Sequence, residues 1–275
     1  MIVRDFVLGQ RHGELRGTIR VPEGPPPRTG IVLVHGFKGY KDWGFFPWVA
    51  EQLVGDRHAV VSFNLTGSGI GSDPHTFSDL EAFAANTYSR EQLDIARILE
   101  AVRGDLLPRS PDRIGLFGHS RGGAGAVLQA AATSEVEALV TWAAVGNLDR
   151  WDEATRREWR ESGRIFVMNS RTGQQMPLSV ELLEDFEANR GTLDVAAAAS
   201  RVEIPWLVVH GSEDETVSAE DGRSLARVAP RARLFLVDGA GHTFGAVHPF
   251  EGATAALESA IQATRDHFRV HLRPD

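Results

Sequence analysis

The segment 118–122 carries a serine in a pattern that suits nucleophilic chemistry. It reads Gly-His-Ser-Arg-Gly, follows the apolar run 114–117 and opens a stretch rich in glycine and alanine, typical of a closely packed helix. At a sharp strand-to-helix turn, G-x-S-x-G keeps neighbouring side chains from colliding with a strained serine. A helix N-terminus behind that serine also favours developing negative charge. The pattern predicts Ser120 as a nucleophile.

Serine is a weak nucleophile until a base removes its proton, and ten histidines compete for that role. His242 is the predicted base, because the glycines before it let a loop present the imidazole just after the last predicted strand; His248 is a weaker rival. Buried structural roles are expected for His35 and His210, which each precede a glycine at a strand end. His119 is expected to point away from the site. Four others are expected to be solvated: His12, His58, His267 and His271.

An acid is needed to orient the base, and the segment 213–215 offers three consecutive carboxylates after the apolar run 206–209. Asp214 is the predicted partner of His242, because its short side chain controls an imidazole most tightly. We expect Glu213 and Glu215 to be solvated. The acid would hold the histidine tautomer and stabilise the imidazolium without accepting the proton.

Alternating strands and helices must bring these three side chains together. Residues 1–22 alternate apolar and polar around Gly13, which predicts an antiparallel hairpin. Further strands are predicted at 31–34, 59–63, 114–117, 136–145, 206–209 and 234–237. Helices are predicted at 47–56, 79–103, 121–132 and 250–268. Strands that alternate with helices predict an α/β fold with a doubly wound, mostly parallel sheet.

Residues 146–203 break this rhythm, since they are far longer than a crossover between neighbouring strands requires. They are polar, rich in Arg and Glu, and contain predicted helices at 151–162 and 178–188. An excursion at the carboxyl end of a strand is well placed to roof a site. We therefore predict a core formed by 1–145 and 204–275, with 146–203 as an inserted helical cap or lid.

The composition narrows the function classes. The chain has 275 residues, a net charge of −8 and no cysteine. The length suits one large domain. The negative charge argues against a nucleic-acid or anionic-membrane binder, and the absence of cysteine excludes disulfides, thiolate metal sites and a cysteine nucleophile. The first residues lack an apolar signal core, and no run of about 18 apolar residues occurs, so we expect a cytoplasmic protein.

The order Ser120, Asp214, His242 on a parallel sheet resembles the α/β-hydrolase fold family over nearly the whole chain. Segment 35–43, beginning His-Gly-Phe, resembles bacterial serine esterases of the dienelactone hydrolase, feruloyl esterase and prolyl-oligopeptidase-like group. The resemblance implies an oxyanion hole made by the backbone N–H groups of Phe37 and Arg121. The turn 64–69 departs from the Asp-x-Arg-Gly-x-Gly often found there, which weakens assignment to one subfamily.

The resemblance and the residues together predict a serine hydrolase that cleaves small to medium carboxylic esters through an acyl-enzyme. A peptidase, an acyl-CoA thioesterase and a non-catalytic ligand receptor are the alternatives. No metal-ligand motif, Walker loop or dinucleotide fingerprint occurs, so we expect no cofactor or metal. Aromatic residues near the predicted site favour an apolar acyl or aryl pocket. The partner is a small-molecule ester, and the oligomeric state is left open, a homo-oligomer included.

Substrate contacts are expected from Trp43, Trp142 and Lys38. Of the 29 basic residues only Lys38 and Lys41 are lysines, and both directly follow the His-Gly turn. The hypothesis is that one of them holds the loop or binds an anionic group of the substrate.

Overall fold

The computed structural model describes residues 1–9, 13–71 and 73–273. The strands of its main sheet are β1 Ile2–Leu8, β2 Leu15–Val21, β3 Thr29–Val34, β4 Ala59–Asn64, β5 Arg113–His119, β6 Ala138–Trp142, β9 Trp206–Gly211 and β10 Ala232–Val237. A separate hairpin consists of β7 Arg164–Asn169 and β8 Gln174–Ser179. The helices are α1 Phe46–Gly55, α2 Leu80–Ala84, α3 Tyr88–Arg103, α4 Arg121–Ala132, α5 Glu153–Ser162, α6 Glu181–Ala188, α7 Val195–Ala199, α8 Ala219–Val228 and α9 Ala255–His271.

The main sheet has the strand order β1-β2-β4-β3-β5-β6-β9-β10. β1 pairs antiparallel with β2, and β2 pairs antiparallel with β4, whereas every pair from β4 onward is parallel. Helices α1 and α9 contact each other and pack against the sheet. Helices α3, α4 and α8 form a second group that also packs against the sheet. The predicted α/β class with a mostly parallel sheet is confirmed.

Burial explains why these segments form strands. β3, β4 and β6 are buried along their full length, and such strands read as continuous apolar runs because helices cover both faces. The opening hairpin is also as predicted, with Ile2 opposite Val21 and Leu8 opposite Leu15. His12, expected to be solvated, lies outside the described residues.

The helices differ from the prediction in four places. The single helix expected over 79–103 is two helices, because Thr87 has an extended backbone and its side chain accepts the N–H of Arg90, which starts α3 afresh. The last helix begins at Ala255 and ends at His271, later than the predicted 250–268. Helices α7 and α8 were not anticipated.

The inserted segment contains three helices, α5, α6 and α7, and the small hairpin. α5 and α6 match the two predicted helices of this region, and β7–β8 forms over its short apolar run and the turn at 170–173. β8 contacts α2, and α6 contacts α3, so the segment folds back over the core. α7 packs against α4 and α8. That 146–203 acts as a lid stays a prediction. Within the described ranges, no helix is long and apolar enough to cross a membrane.

Candidate active site

Three side chains from distant parts of the chain form one hydrogen-bonded series. Ser120 lies at the junction of β5 and α4, Asp214 follows β9, and His242 follows β10. Nδ1 of His242 lies 2.8 Å from Oδ2 of Asp214, and Nε2 of His242 lies 3.0 Å from Oγ of Ser120. Because a carboxylate only accepts, Nδ1–H donates to Asp214 and Nε2 is left to accept the serine proton.

The backbone of Ser120 is strained in the way its sequence context predicts. Its φ and ψ are 57° and −124°, a region that non-glycine residues rarely occupy. The turn is tight enough that a Cβ on Gly118 would lie 2.4 Å from the carbonyl oxygen of Gly122, and a Cβ on Gly122 would lie 2.3 Å from that of His35. Close backbone contacts therefore require glycine at both 118 and 122.

Asp214 is buried, and its carboxylate is fully engaged. Its Oδ1 accepts the backbone N–H groups of Thr216 and Val217, each at 2.9 Å. Burial acts to raise the pKa of Asp214, but hydrogen bonds from His210, His242 and the N–H of Val217 outweigh it and hold that pKa well below its usual range. Asp214 is thus a fixed anion beside the imidazole, while Glu213 and Glu215 are exposed.

The loop after β3 lies directly against the serine. A Cβ on Gly36 would lie 2.9 Å from Cβ of Ser120, and Phe37 lines the same cavity as the serine. Arg121 is the first residue of α4, so its N–H has no acceptor within the helix.

The side chain of Arg121 joins this loop to α3. It donates to the buried Glu91 at 2.6 Å, and its guanidinium lies 4.2 Å from the ring centroid of Phe37. Glu91 also accepts from Asn86 at 2.6 Å. Glu91 therefore neutralises the arginine and holds it under the Phe37 ring, a role that sequence reasoning missed because Glu91 reads as an ordinary helical residue.

A cavity of about 560 Å³ opens above these groups. Ser120, His242, Phe37, Trp43 and Lys38 all line it. The inserted segment contributes the side of the cavity formed by Trp151 and residues 169–171.

Trp142, expected to contact the substrate, belongs elsewhere. Its side chain is fully buried, packs between Phe117 and Phe244, and donates its Nε1–H to Thr264 at 2.9 Å. It is absent from the cavity lining. The prediction was wrong because, although Trp142 lies at the carboxyl end of β6, where the site residues gather, its side chain points into the core.

Comparison with known proteins now assigns the family. The model of the alpha/beta hydrolase family matches residues 31–256. The chain is an α/β hydrolase. Among curated proteins, this α/β hydrolase is 27% identical over 202 residues to 2,6-dihydropseudooxynicotine hydrolase of Paenarthrobacter nicotinovorans. The alignment covers 72% of the chain but only 47% of that relative's length.

Solved structures show the same architecture. The hydrolase superposes on the ferulic acid complex of Est1E from Butyrivibrio proteoclasticus with a TM-score of 0.75 and 17% identity, covering 97% of this chain and 99% of that one. For dienelactone hydrolase from Anabaena variabilis the TM-score is 0.63 at 18% identity, covering 98% and 99%. At such identities the likeness concerns the fold.

Four other histidines among the described residues are held by contacts within the protein or are buried. His248, the rival base, accepts the N–H of Gly44 at 3.0 Å through Nδ1, and its Nε2 lies 2.7 Å from the hydroxyl of Tyr40. His119 does line the cavity, but its Nε2 lies 3.1 Å from the carbonyl oxygen of His242, and burial, reinforced by His242, lowers its pKa to about 3. His35 and His210 are buried.

Two histidines expected at the surface are buried. His58 is 5% exposed and its Nδ1 lies 2.7 Å from Oγ1 of Thr29. His267 is 9% exposed and contacts the carbonyl oxygen of Pro205 at 3.3 Å. Burial lowers the pKa of each to about 4. The sequence did not reveal this burial because a histidine before a strand or on a helix can be either exposed or buried. Residue type and local position do not distinguish the two cases.

Proposed function

We propose that this α/β hydrolase is a serine esterase that cleaves small to medium carboxylic esters through an acyl-enzyme. The observation that carries the proposal is the series from Ser120 to His242 to Asp214, with distances of 3.0 Å and 2.8 Å, at the wall of a cavity. This is the arrangement by which a serine is activated and its base oriented.

The chemistry proceeds in two halves. Oγ of Ser120 attacks the ester carbonyl while Nε2 of His242 takes the hydroxyl proton. The tetrahedral oxyanion is held by the backbone N–H groups of Phe37 and Arg121. His242 then gives its proton to the departing alcohol, which leaves the acyl-serine. Water then attacks the acyl carbonyl while Nε2 of His242 takes its proton. When this second tetrahedral intermediate collapses, the bond to Oγ breaks, His242 returns the proton to Ser120, and the carboxylic acid leaves.

The cavity lining supports an ester with an apolar acyl or aryl part. Phe37, Trp43, Phe46 and Trp151 present aromatic surface close to Ser120, and apolar walls with a few polar groups are typical of small-molecule sites. Trp151 belongs to the inserted segment, which supports a roofing role for that segment. The ferulic acid in the Est1E complex is a ligand of the same general kind.

The test is turnover of a series of p-nitrophenyl acyl esters, together with labelling by a fluorophosphonate probe. The wild-type chain should hydrolyse at least one ester and become labelled. Ser120→Ala should lose about 10⁴-fold or more in kcat/KM and all labelling. Ser200→Ala, at an exposed serine far along the chain, is the matched control and should behave as wild type.

Three results would redirect the proposal. Labelling of Ser120 with acyl-CoA turnover above ester turnover would make the enzyme a thioesterase, and faster amide cleavage would make it a peptidase. No turnover and no labelling, with Ser120→Ala indistinguishable from wild type, would leave a ligand receptor.

A further inference from the structure

The active-site cavity has an uneven charge. Four basic side chains line it, those of Lys38, Arg121, Arg150 and Arg171, whereas no Asp or Glu among the described residues does. This contrasts with the net charge of −8 for the whole chain. Glu91 neutralises Arg121 from behind, so the excess positive charge resides on the other three.

Lys38 and Arg171 lie together in the lining of the cavity. Nζ of Lys38 donates to the carbonyl oxygen of Met168 at 2.9 Å, and Nη2 of Arg171 donates to the carbonyl oxygen of Lys38 at 2.6 Å. The guanidinium of Arg171 lies 4.7 Å from the centroid of a Trp43 ring. These contacts fix both cations in place, and the remaining N–H donors of the two side chains meet no hydrogen-bond acceptor among residues 1–9, 13–71 and 73–273.

Neither cation has a carboxylate partner in the described part of the chain. Partial burial lowers the pKa of Lys38, and the nearby Arg171 lowers it further. Burial likewise lowers the pKa of Arg171. Two like charges held close without a counter-ion cost folding free energy, and a bound anion would relieve that cost.

A third donor stands beside them. Asn169 is 1% exposed and lines the cavity, and its Nδ2 has no hydrogen-bond partner among the described residues. Its Oδ1 accepts the N–H of Arg171 at 3.3 Å, which assigns Nδ2 as the free atom. A buried donor without an acceptor is costly unless a ligand supplies one.

We propose that Lys38, Arg171 and Asn169 form an anion subsite that selects esters bearing a second, free carboxylate group. The inference rests on the esterase function proposed above and names its substrate class. A guanidinium presents a planar fork of donors that matches a carboxylate, and the ammonium adds a point charge beside it. The subsite is local because salt screens the acidic exterior within about 8 Å at physiological ionic strength.

The test compares two esters of matched length, ethyl hexanoate and monoethyl adipate, by proton release. Only the second carries a carboxylate. The measured quantity is the ratio of kcat/KM for the anionic ester to kcat/KM for the neutral one, because the intrinsic reactivities of the two esters cancel when variants are compared. Arg171→Gln and Lys38→Met should each lower the ratio about ten-fold or more, the usual effect of losing a hydrogen bond to a charged group.

Controls separate charge from structure. A general disturbance of the loop would lower both esters alike and leave the ratio unchanged. Arg171→Lys keeps the charge and should restore part of the ratio. Arg157→Gln removes the same charge from an exposed position on α5 outside the cavity and should leave the ratio as in wild type. Raising the salt concentration should lower the wild-type ratio, since screening weakens the attraction.

Two outcomes would overturn the subsite. In one, the neutral ester is hydrolysed through Ser120 but neither Lys38→Met nor Arg171→Gln changes the ratio. In the other, only Arg150→Gln changes it, which would move the anion to the exposed arginine that donates to the carbonyl oxygen of Thr216. If neither ester is hydrolysed faster than by Ser120→Ala while a p-nitrophenyl ester is, the proposed substrate class is overturned and the esterase proposal stands. If no p-nitrophenyl ester is hydrolysed either, the esterase proposal itself fails.

Discussion

Oδ2 of Asp214 lies 3.4 Å from Nε2 of His210, a histidine with no exposed side-chain surface. The same oxygen accepts from His242 at 2.8 Å, so two imidazoles converge on one carboxylate atom. Nε2 of His210 also lies 2.9 Å from the carbonyl oxygen of Val217, which requires a proton on that nitrogen. His210 therefore supports the anion that orients the proposed base.

Replacing His210 by Phe keeps a buried ring but removes this support. The pKa of Asp214 should rise in His210→Phe. As the pH is lowered, the activity of this variant should therefore begin to fall at a higher pH than the activity of the wild type. We expect kcat/KM at neutral pH to fall about ten-fold, the scale of a lost hydrogen bond to a charged group. The measurement is a pH profile of ester hydrolysis. His267→Phe, at a buried histidine outside the cavity, is the control; an unchanged profile in His210→Phe would contradict the positioning role.

The turn at Ser120 predicts a sharp difference between two glycines. In Gly122→Ala the new Cβ would lie 2.3 Å from the carbonyl oxygen of His35, and backbone cannot yield cheaply, so we expect a loss of about 3 kcal/mol in the free energy of unfolding. Gly191→Ala places its Cβ with nothing within 4 Å and should change stability little. Urea denaturation measures both. Equal stability of the two variants would show that the turn is looser than described.

Stability should fall on mild acidification because of the buried histidines. Burial lowers the pKa values of His35, His58 and His267 to about 4, whereas unfolded histidines titrate near 6.5. Between these values the unfolded chain binds more protons, so the free energy of unfolding is full above about pH 6.5 and declines toward pH 4. Each histidine contributes up to about 1.4 kcal/mol per pH unit.

The pH effect is tested by urea denaturation at about pH 7 and about pH 5. His58→Leu should be less stable at the higher pH, since it loses its bond to Thr29, but should lose less on acidification than wild type. A pH dependence as steep as that of wild type would contradict the assignment.

Two tryptophans should separate stability from binding. Trp142→Phe loses the bond to Thr264 and core packing, and we expect a loss of about 1–3 kcal/mol in the free energy of unfolding with KM unchanged. Trp43→Phe alters the surface on which Arg171 rests and should raise KM for an anionic ester about two- to five-fold. Unfolding curves and steady-state kinetics on both variants decide the matter. A raised KM in Trp142→Phe alone would show that Trp142 contacts the substrate.

The main sheet was predictable from sequence because buried parallel strands leave continuous apolar runs. Helix α8 was not, since it is amphipathic, largely polar and contains Gly222 in its interior. The structure explains that glycine: a Cβ there would lie 2.7 Å from Nδ1 of His210. The close packing of α8 against the preceding strand β9 therefore requires glycine at position 222, although glycine lowers the helix propensity of the segment.

The proposed catalytic residues follow from sequence because each directly succeeds a strand, and parallel strands end at one edge of a sheet. Asn169 and Arg171 do not. They reach the cavity only because β7 and β8 fold back across more than a hundred residues of chain to meet Lys38. Such contacts depend on where an insertion docks, and the polarity of 146–203 predicts its exposure but not its direction.

Lys38 is bonded to the inserted hairpin twice, through its side chain to Met168 and through its carbonyl oxygen from Arg171. It is also the residue next to Phe37, whose N–H is a proposed oxyanion donor. The end of the β7–β8 hairpin (residues 168–171) and the loop that contains Phe37 and Lys38 are therefore held together by hydrogen bonds, although they are far apart in sequence. Anyone grafting a different insertion onto this core to change its substrates must transfer position 38 with residues 168–171, or rebuild the loop that would hold the transition state.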